Sequence, residues 1–187
     1  PMTAGIAPIT SDERRGRLER ARQLMAEHRM DAILLEPGTS LSYFTGVEWG
    51  LSERPFLMLI SAQGEPTCIC PAFEEARVRE LLHLSADVRV WEEDESPFEL
   101  VAGALRDRGF VTGRLGVEGQ VRFFVLDGVR AAAARTDLCA AAPVTVGCRA
   151  IKSPAELALM QRASDMTIAA FRAAFATLRA GMTQQEL

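Results

Sequence analysis

The chain has 187 residues, 48% of them apolar and 25% charged, with a formal net charge of −4. That composition fits a folded soluble protein with one domain and a piece of another, and it excludes a disordered or low-complexity chain. No apolar run approaches the ~18–20 residues of a membrane helix, no signal peptide precedes the fold, and the only basic group, Arg14-Arg15-Gly16-Arg17, is spread around a helix with Glu13 and Glu19 rather than set out as a nucleic-acid footprint.

Thr10 to Glu13 reads as a capping box that opens a helix to about Arg29, with Leu18, Ala21, Leu24 and Met25 at helical spacing. Asp31 to Glu36 is a short apolar run of the kind that forms a buried strand, broken by Pro37-Gly38. Ser40 to Phe44 predicts one helical turn closed by Gly46. Phe56 to Ile60 predicts a strand, Gln63-Gly64 a hairpin turn and Thr67 to Cys70 the return strand. Ala72 to Leu84 follows as a helix, and Asp87 to Trp91 alternates as an edge or half-exposed strand. Glu92-Glu93-Asp94-Glu95 is a solvated loop. Ser96-Pro97-Phe98-Glu99 starts a helix to Arg108, Arg114 to Glu118 is a strand, Gln120 to Ala134 is helical, and Asp137 to Val146 holds one short strand. Helices alternating with short strands predict an α/β, three-layer domain whose central mixed sheet is flanked by helices.

Arg149 to Glu156 leads into a long last helix. Ser153 is its N-cap, Pro154 fills the first helical position, Glu156 completes a capping box, and Gly181 is the expected stop. One stripe carries Leu157, Met160, Ser164, Ile168, Phe171, Phe175 and Leu178, and a second carries Leu159, Ala163, Met166, Ala170 and Ala173. Arg162, Asp165, Arg172 and Arg179 leave only a narrow polar seam. A helix apolar on more than half its girth expects neighbours on two sides, so the chain reads as the front part of a larger protein. Its divisions are a flexible N-terminus (1–9), an α/β domain (10–148), and a linker with the first helix of a further, truncated domain (149–187).

The residues that could carry chemistry are sparse. His28 and His83 each lack a second histidine or cysteine at ligand spacing, which argues against a metal site built on them and against a serine or cysteine triad. Gly113, Gly116 and Gly119 do not form a phosphate-binding loop. Cys68, Cys70, Cys139 and Cys148 contain no C-x-x-C and read as free, mostly buried thiols of a reducing, cytoplasmic protein. The segment from Tyr43 to Pro55 is different: it gathers the only tyrosine, Trp49, and the opposed pair Glu53 and Arg54 in one loop. Loops of that kind are where binding residues sit, and Trp49 folded over the sheet is the equally weighted structural alternative.

Five motifs, in order, resemble the amino-terminal domain of the creatinase/prolidase/aminopeptidase P family, the pita-bread metallopeptidases. They are M-x-A-x-x-L at Met30–Leu35, Y-F-T-G at Tyr43–Gly46, L-G-V-E at Leu115–Glu118, R-x-I-K-S-P-x-E at Arg149–Glu156 and G-M-T-x-x-E-L at Gly181–Leu187. The W-G-L-S-E-R-P-F run at Trp49–Phe56 most resembles bacterial Xaa-Pro dipeptidases.

The resemblance implies a two-domain hydrolase that cleaves the bond before proline. Its following catalytic domain would hold two divalent ions, manganese, cobalt or zinc, through two aspartates, a histidine and two glutamates. None of those ligands maps onto this sequence, so the chain alone is expected to hold no cofactor and to be inert. It further implies a domain that makes homodimer contacts, covers the active site of its own catalytic domain or a neighbour's, and meets a proline-containing peptide. Tyr43, Trp49, Glu53 and Arg54 are then the candidates for substrate or partner contact. A creatinase-like amidinohydrolase and a non-catalytic interaction module of the same fold remain as alternatives, with a generic α/β domain of unrelated function behind them.

Overall fold

The computed structural model describes residues 5–186, so the first part of the expected flexible N-terminus and the final Leu187 lie outside the described residues. Ser11–Ile151 forms one compact unit, and a second is built on the last helix.

The first unit is a six-stranded sheet in the order β4-β3-β2-β1-β5-β6. Its strands are β1 (Ala32–Leu35), β2 (Leu57–Ser61), β3 (Thr67–Pro71), β4 (Asp87–Trp91), β5 (Arg114–Val117) and β6 (Asp137–Ala140). β2 runs antiparallel to both β1 and β3, whereas β1–β5, β5–β6 and β3–β4 are parallel pairs. Every strand except β2 therefore ends on one edge of the sheet. The mixed sheet expected from the hairpin and the alternating helices is present.

The strands β1 to β3 read as unbroken apolar runs because both faces are covered. Alternate side chains serve opposite cores. Ile33, Leu35, Met58, Ile60, Cys68 and Cys70 face a cluster completed by α1 (Ser11–Glu27), α2 (Thr39–Thr45), α3 (Glu75–Leu81) and α6 (Ala142–Ala150). Ala32, Leu34, Leu57, Leu59, Ile69 and Leu115 face α4 (Pro97–Asp107) and α5 (Phe123–Ala132). Cys68 and Cys70 share a face, as their spacing predicts, and all four cysteines are free thiols. The Cys68 thiol is pushed up by its hydrogen bond to Cys70 and by burial.

Local signals explain most ends. α1 stops in a Schellman turn: Met30 N–H reaches the Met25 carbonyl (2.8 Å), Arg29 N–H reaches Ala26 (3.2 Å), and Arg29 takes the left-handed position at φ 55°. α2 closes at Gly46 (φ 79°), over which the Arg14 guanidinium lies so closely that a Cβ would stand 2.7 Å from it. Gly116, the middle of the three spaced glycines, has a packing role: a Cβ there would meet Met30 Sδ at 2.9 Å and the Ala141 backbone at 3.3 Å.

Three elements depart from expectation. The predicted helix at Ala72 begins as a 3₁₀ turn (Ala72–Glu74) and its α-helical part ends at Leu81. The segment after β6 is a helix, α6, which the β-branched run Val144-Thr145-Val146 hides. Cys148 lies one helical turn on from the helix's other buried residues, Val144 and Thr145, so the three share one face. The last helix, α7 (Pro154–Thr177), has the predicted capping box at Ser153 and Glu156 but stops short of Gly181. Gly181 instead occupies a β-turn closed by Met182 N–H on the Arg179 carbonyl (3.2 Å), where its φ of 88° suits the third position. No side chain of α7 is buried, and Leu157, Met160, Ile168, Phe171 and Phe175 are all exposed.

Candidate functional site

The edge at which the five parallel strands end collects the polar side chains of interest. Ligands of open α/β sheets bind outside such carboxyl ends, most often where neighbouring strands send the chain to opposite faces. β1 and β5 are such a pair. After β1 the chain enters α2 on one face, and after β5 it enters α5 on the other. The loop between α2 and β2, residues 46–56, returns to this same edge because Met58 pairs with Leu35.

Glu36 directly follows β1 and is only 5% exposed. A carboxylate so placed requires partners, and Arg122, the N-cap residue of α5, supplies them. Glu36 Oε1 accepts from Arg122 Nε (2.9 Å) and Nη2 (2.7 Å), and Oε2 accepts from the Arg122 backbone N–H (2.7 Å). Arg122 Nη1 donates to the Ser52 carbonyl, and the guanidinium lies 4.7 Å from the Phe124 ring centre. Beside this pair, Ser40 Oγ donates to Glu118 Oε1 (2.6 Å) and accepts from Arg149 Nη1 (3.1 Å). A cavity of about 80 Å³ lies among Glu36, Gly38, Leu51, Glu118 and Val121. It has room for a few waters.

The four residues singled out in the sequence lie along this edge in two pairs of circumstances. Tyr43 and Trp49 turn to the core cluster beneath. The Tyr43 hydroxyl donates to the Cys148 carbonyl (2.9 Å), and Arg17 covers the ring at 4.0 Å while donating to the Tyr43 carbonyl (2.7 Å). Trp49 stacks on Phe56 at 4.8 Å and 21°, with Arg77 5.1 Å from its ring centre. Glu53 and Arg54 face outward and touch. Arg54 Nη1 donates to Glu53 (2.7 Å) and Nε donates to Glu93 (2.6 Å), and its guanidinium sits 5.5 Å from the Phe73 ring. The hydrogen bond to Glu93 raises the Arg54 pKa further above its ordinary value. Glu36, Ser40 and Arg122 escaped the sequence reading because their contacts span 70 to 109 residues. The one legible signal was a charged residue at the end of an otherwise apolar strand.

Among the described residues, no group of three or more histidine, cysteine, aspartate or glutamate side chains could hold a metal ion, and no helix is long and apolar enough to cross a membrane.

Fold and edge together define an α/β domain that presents loops along one side of a mixed sheet. The Creatinase/Prolidase N-terminal domain profile matches residues 17–151, and the chain belongs to that family. An uncharacterized peptidase of Schizosaccharomyces pombe is 32% identical across 100% of this chain and 43% of its own length. The Xaa-Pro dipeptidase of Lactobacillus helveticus is 27% identical, covering 91% of this chain and 46% of that protein. The crystal structure of a dipeptidase from Pyrococcus horikoshii superposes with a TM-score of 0.77 at 26% identity, over 91% of this chain and 46% of that one. The chain thus spans less than half the length of each of these three relatives.

Proposed function

We propose that residues 10–148 are the amino-terminal, non-catalytic domain of a cytoplasmic, homodimeric Xaa-Pro dipeptidase, and that 149–187 are the linker and first helix of its catalytic domain. The observation that carries the reading is the family match over 17–151 joined to likeness, across nearly the whole chain, with proteins named as dipeptidases. The four free cysteines favour a reducing compartment. The described residues do not fit a metal pair. The two divalent ions of the proposed parent would be held by other parts of that protein.

On this reading the sheet's carboxyl edge covers the peptide. Trp49, half-buried against Phe56 and Arg77, would offer its remaining surface to a proline ring, and Arg54 offers a guanidinium fork to a dipeptide's free carboxylate. Arg54 is held by Glu53 and Glu93 in ion pairs whose carboxylate side chains are 79% and 64% exposed. Such pairs contribute only about 0–1 kcal/mol, so an incoming carboxylate can replace them.

The deciding experiment assays the full-length gene product on Ala-Pro and on Xaa-Pro tripeptides, with and without manganese. Manganese-dependent cleavage favouring the dipeptide is expected. A purified, folded protein that cleaves no Xaa-Pro bond with any of manganese, cobalt or zinc would overturn the proposal.

A further inference from the structure

One residue on the sheet edge, Arg122, joins three chain segments: its guanidinium and backbone N–H bind Glu36 at the end of β1, its backbone begins α5, and its Nη1 donates to the Ser52 carbonyl in the middle of the 46–56 loop. The first two attachments are rigid. Glu36 is 5% exposed and takes three hydrogen bonds from Arg122, the paired, planar geometry in which arginine is hardest to replace. The third attachment is the one that reaches the loop. Ser52 in turn grips Arg54: its Oγ accepts from the Arg54 N–H (3.2 Å) and donates to the Arg54 carbonyl (3.2 Å). The position of the Arg54 backbone is therefore set, through Ser52, by Arg122.

We propose that Arg122 is a positioning residue for the peptide's carboxylate: it acts through Ser52 to fix where the Arg54 guanidinium meets the substrate. The proposal rests on the reading that Arg54 contacts substrate. It assigns to the Glu36–Arg122 pair a role that a pair serving only to close the sheet edge would lack.

The test uses the full-length protein. Arg122→Lys keeps a cation beside Glu36 but cannot reach all partners at once. Glu36→Gln with Arg122→Met removes both charges together, so that no buried carboxylate is stranded if the lysine variant folds poorly. In either variant KM for Ala-Pro is expected to rise roughly tenfold, with a much smaller change in kcat, because a small displacement of a binding group is costly. In an Arg54→Ala background the same Arg122 substitution should add nothing further, since its effect runs through Arg54. An unchanged KM in a folded Arg122 variant overturns the proposal, as do Arg54 and Arg122 penalties that simply multiply. The two levels separate cleanly. If Arg54→Ala raises KM and the Arg122 variants do not, only the positioning role falls; if Arg54→Ala itself leaves KM unchanged, the substrate contact falls and takes the positioning role with it.

Discussion

At the scale of single residues, the sheet edge shows how a few polar groups are spent. Arg54 is shared between Glu53 and Glu93, so on the proposed function removing Glu93 should release it toward a peptide carboxylate. Glu93→Gln in the full-length protein is expected to lower KM for Ala-Pro by roughly twofold to threefold, in line with the modest strength of exposed ion pairs. Steady-state kinetics would show it, and a higher KM would place Glu93 on the substrate's side instead. Arg29 is a second case. It occupies the left-handed position of the α1 Schellman turn at φ 55°, which strains any residue with a Cβ. Arg29→Gly should raise stability by about 1 kcal/mol, seen as an increase of several degrees in Tm. The thiols give a pH dependence. Burial lifts Cys139 and Cys148 above their ordinary pKa. In the unfolded chain these thiols ionise near about pH 8.5, whereas in the folded chain they hold their protons to higher pH. The folded state therefore binds more protons, and the stability this represents is present below about pH 8.5 and lost as pH climbs through the folded values. Tm measured from pH 7.5 to 10.5 should fall more steeply for the native protein than for a Cys139→Ala, Cys148→Ala variant.

At the scale of elements, the strands and the helices that cover them follow from local pattern. β1 to β3 announce themselves as short apolar runs, and α2 and α7 announce their starts or stops through Gly46, Ser153 and Glu156. α6 was not legible, because a Val-Thr-Val run between Pro143 and Gly147 favours a strand by propensity, and only packing of Val144, Thr145 and Cys148 into the core makes it helical. Pro143 near the helix start was the available clue. The candidate site was legible only as a loop. The Tyr43–Arg54 segment stands out by composition, but the clamp on it joins residues 70 and 86 positions apart, and no spacing rule reaches that far. Close packing between α4 and α5 yields a test of the second core. A Cβ added to Gly128 would lie 2.3 Å from the Phe98 ring. Alanine is the better helix former by about 1 kcal/mol, yet overpacking of a rigid ring costs about 1–3 kcal/mol. Gly128→Ala is thus expected to destabilise the chain by up to about 2 kcal/mol in urea titration, and Phe98→Leu placed beside it should recover part of that loss.

At the scale of the whole molecule, the question is what α7 does with its apolar surface. Its hydrophobic stripe is not satisfied: Leu157, Met160, Ile168, Phe171 and Phe175 remain between 48% and 69% exposed. Singly exposed apolar residues are common, but five along one helix form a contiguous stripe of the sort that marks an interaction surface. This chain covers 43% and 46% of the length of its curated relatives, and we propose that in the parent protein this stripe is covered by the catalytic domain. Without that cover, burial of a phenylalanine side chain gains about 1.5–3 kcal/mol, so two copies pairing their α7 helices through Phe171 and Phe175 would recover enough to associate at micromolar to millimolar concentration. Light scattering on the 187-residue chain should therefore show dimers or larger species whose proportion rises with concentration. Phe171→Glu with Phe175→Lys should return the chain to a monomer with unchanged helix content by circular dichroism. Neither substitution touches the Ser11–Ile151 unit's cores, so its unfolding transition should not move. A native chain that stays strictly monomeric at millimolar concentration would mean that its exposed stripe needs no cover, and the assignment of α7 to a further domain would lose its physical ground.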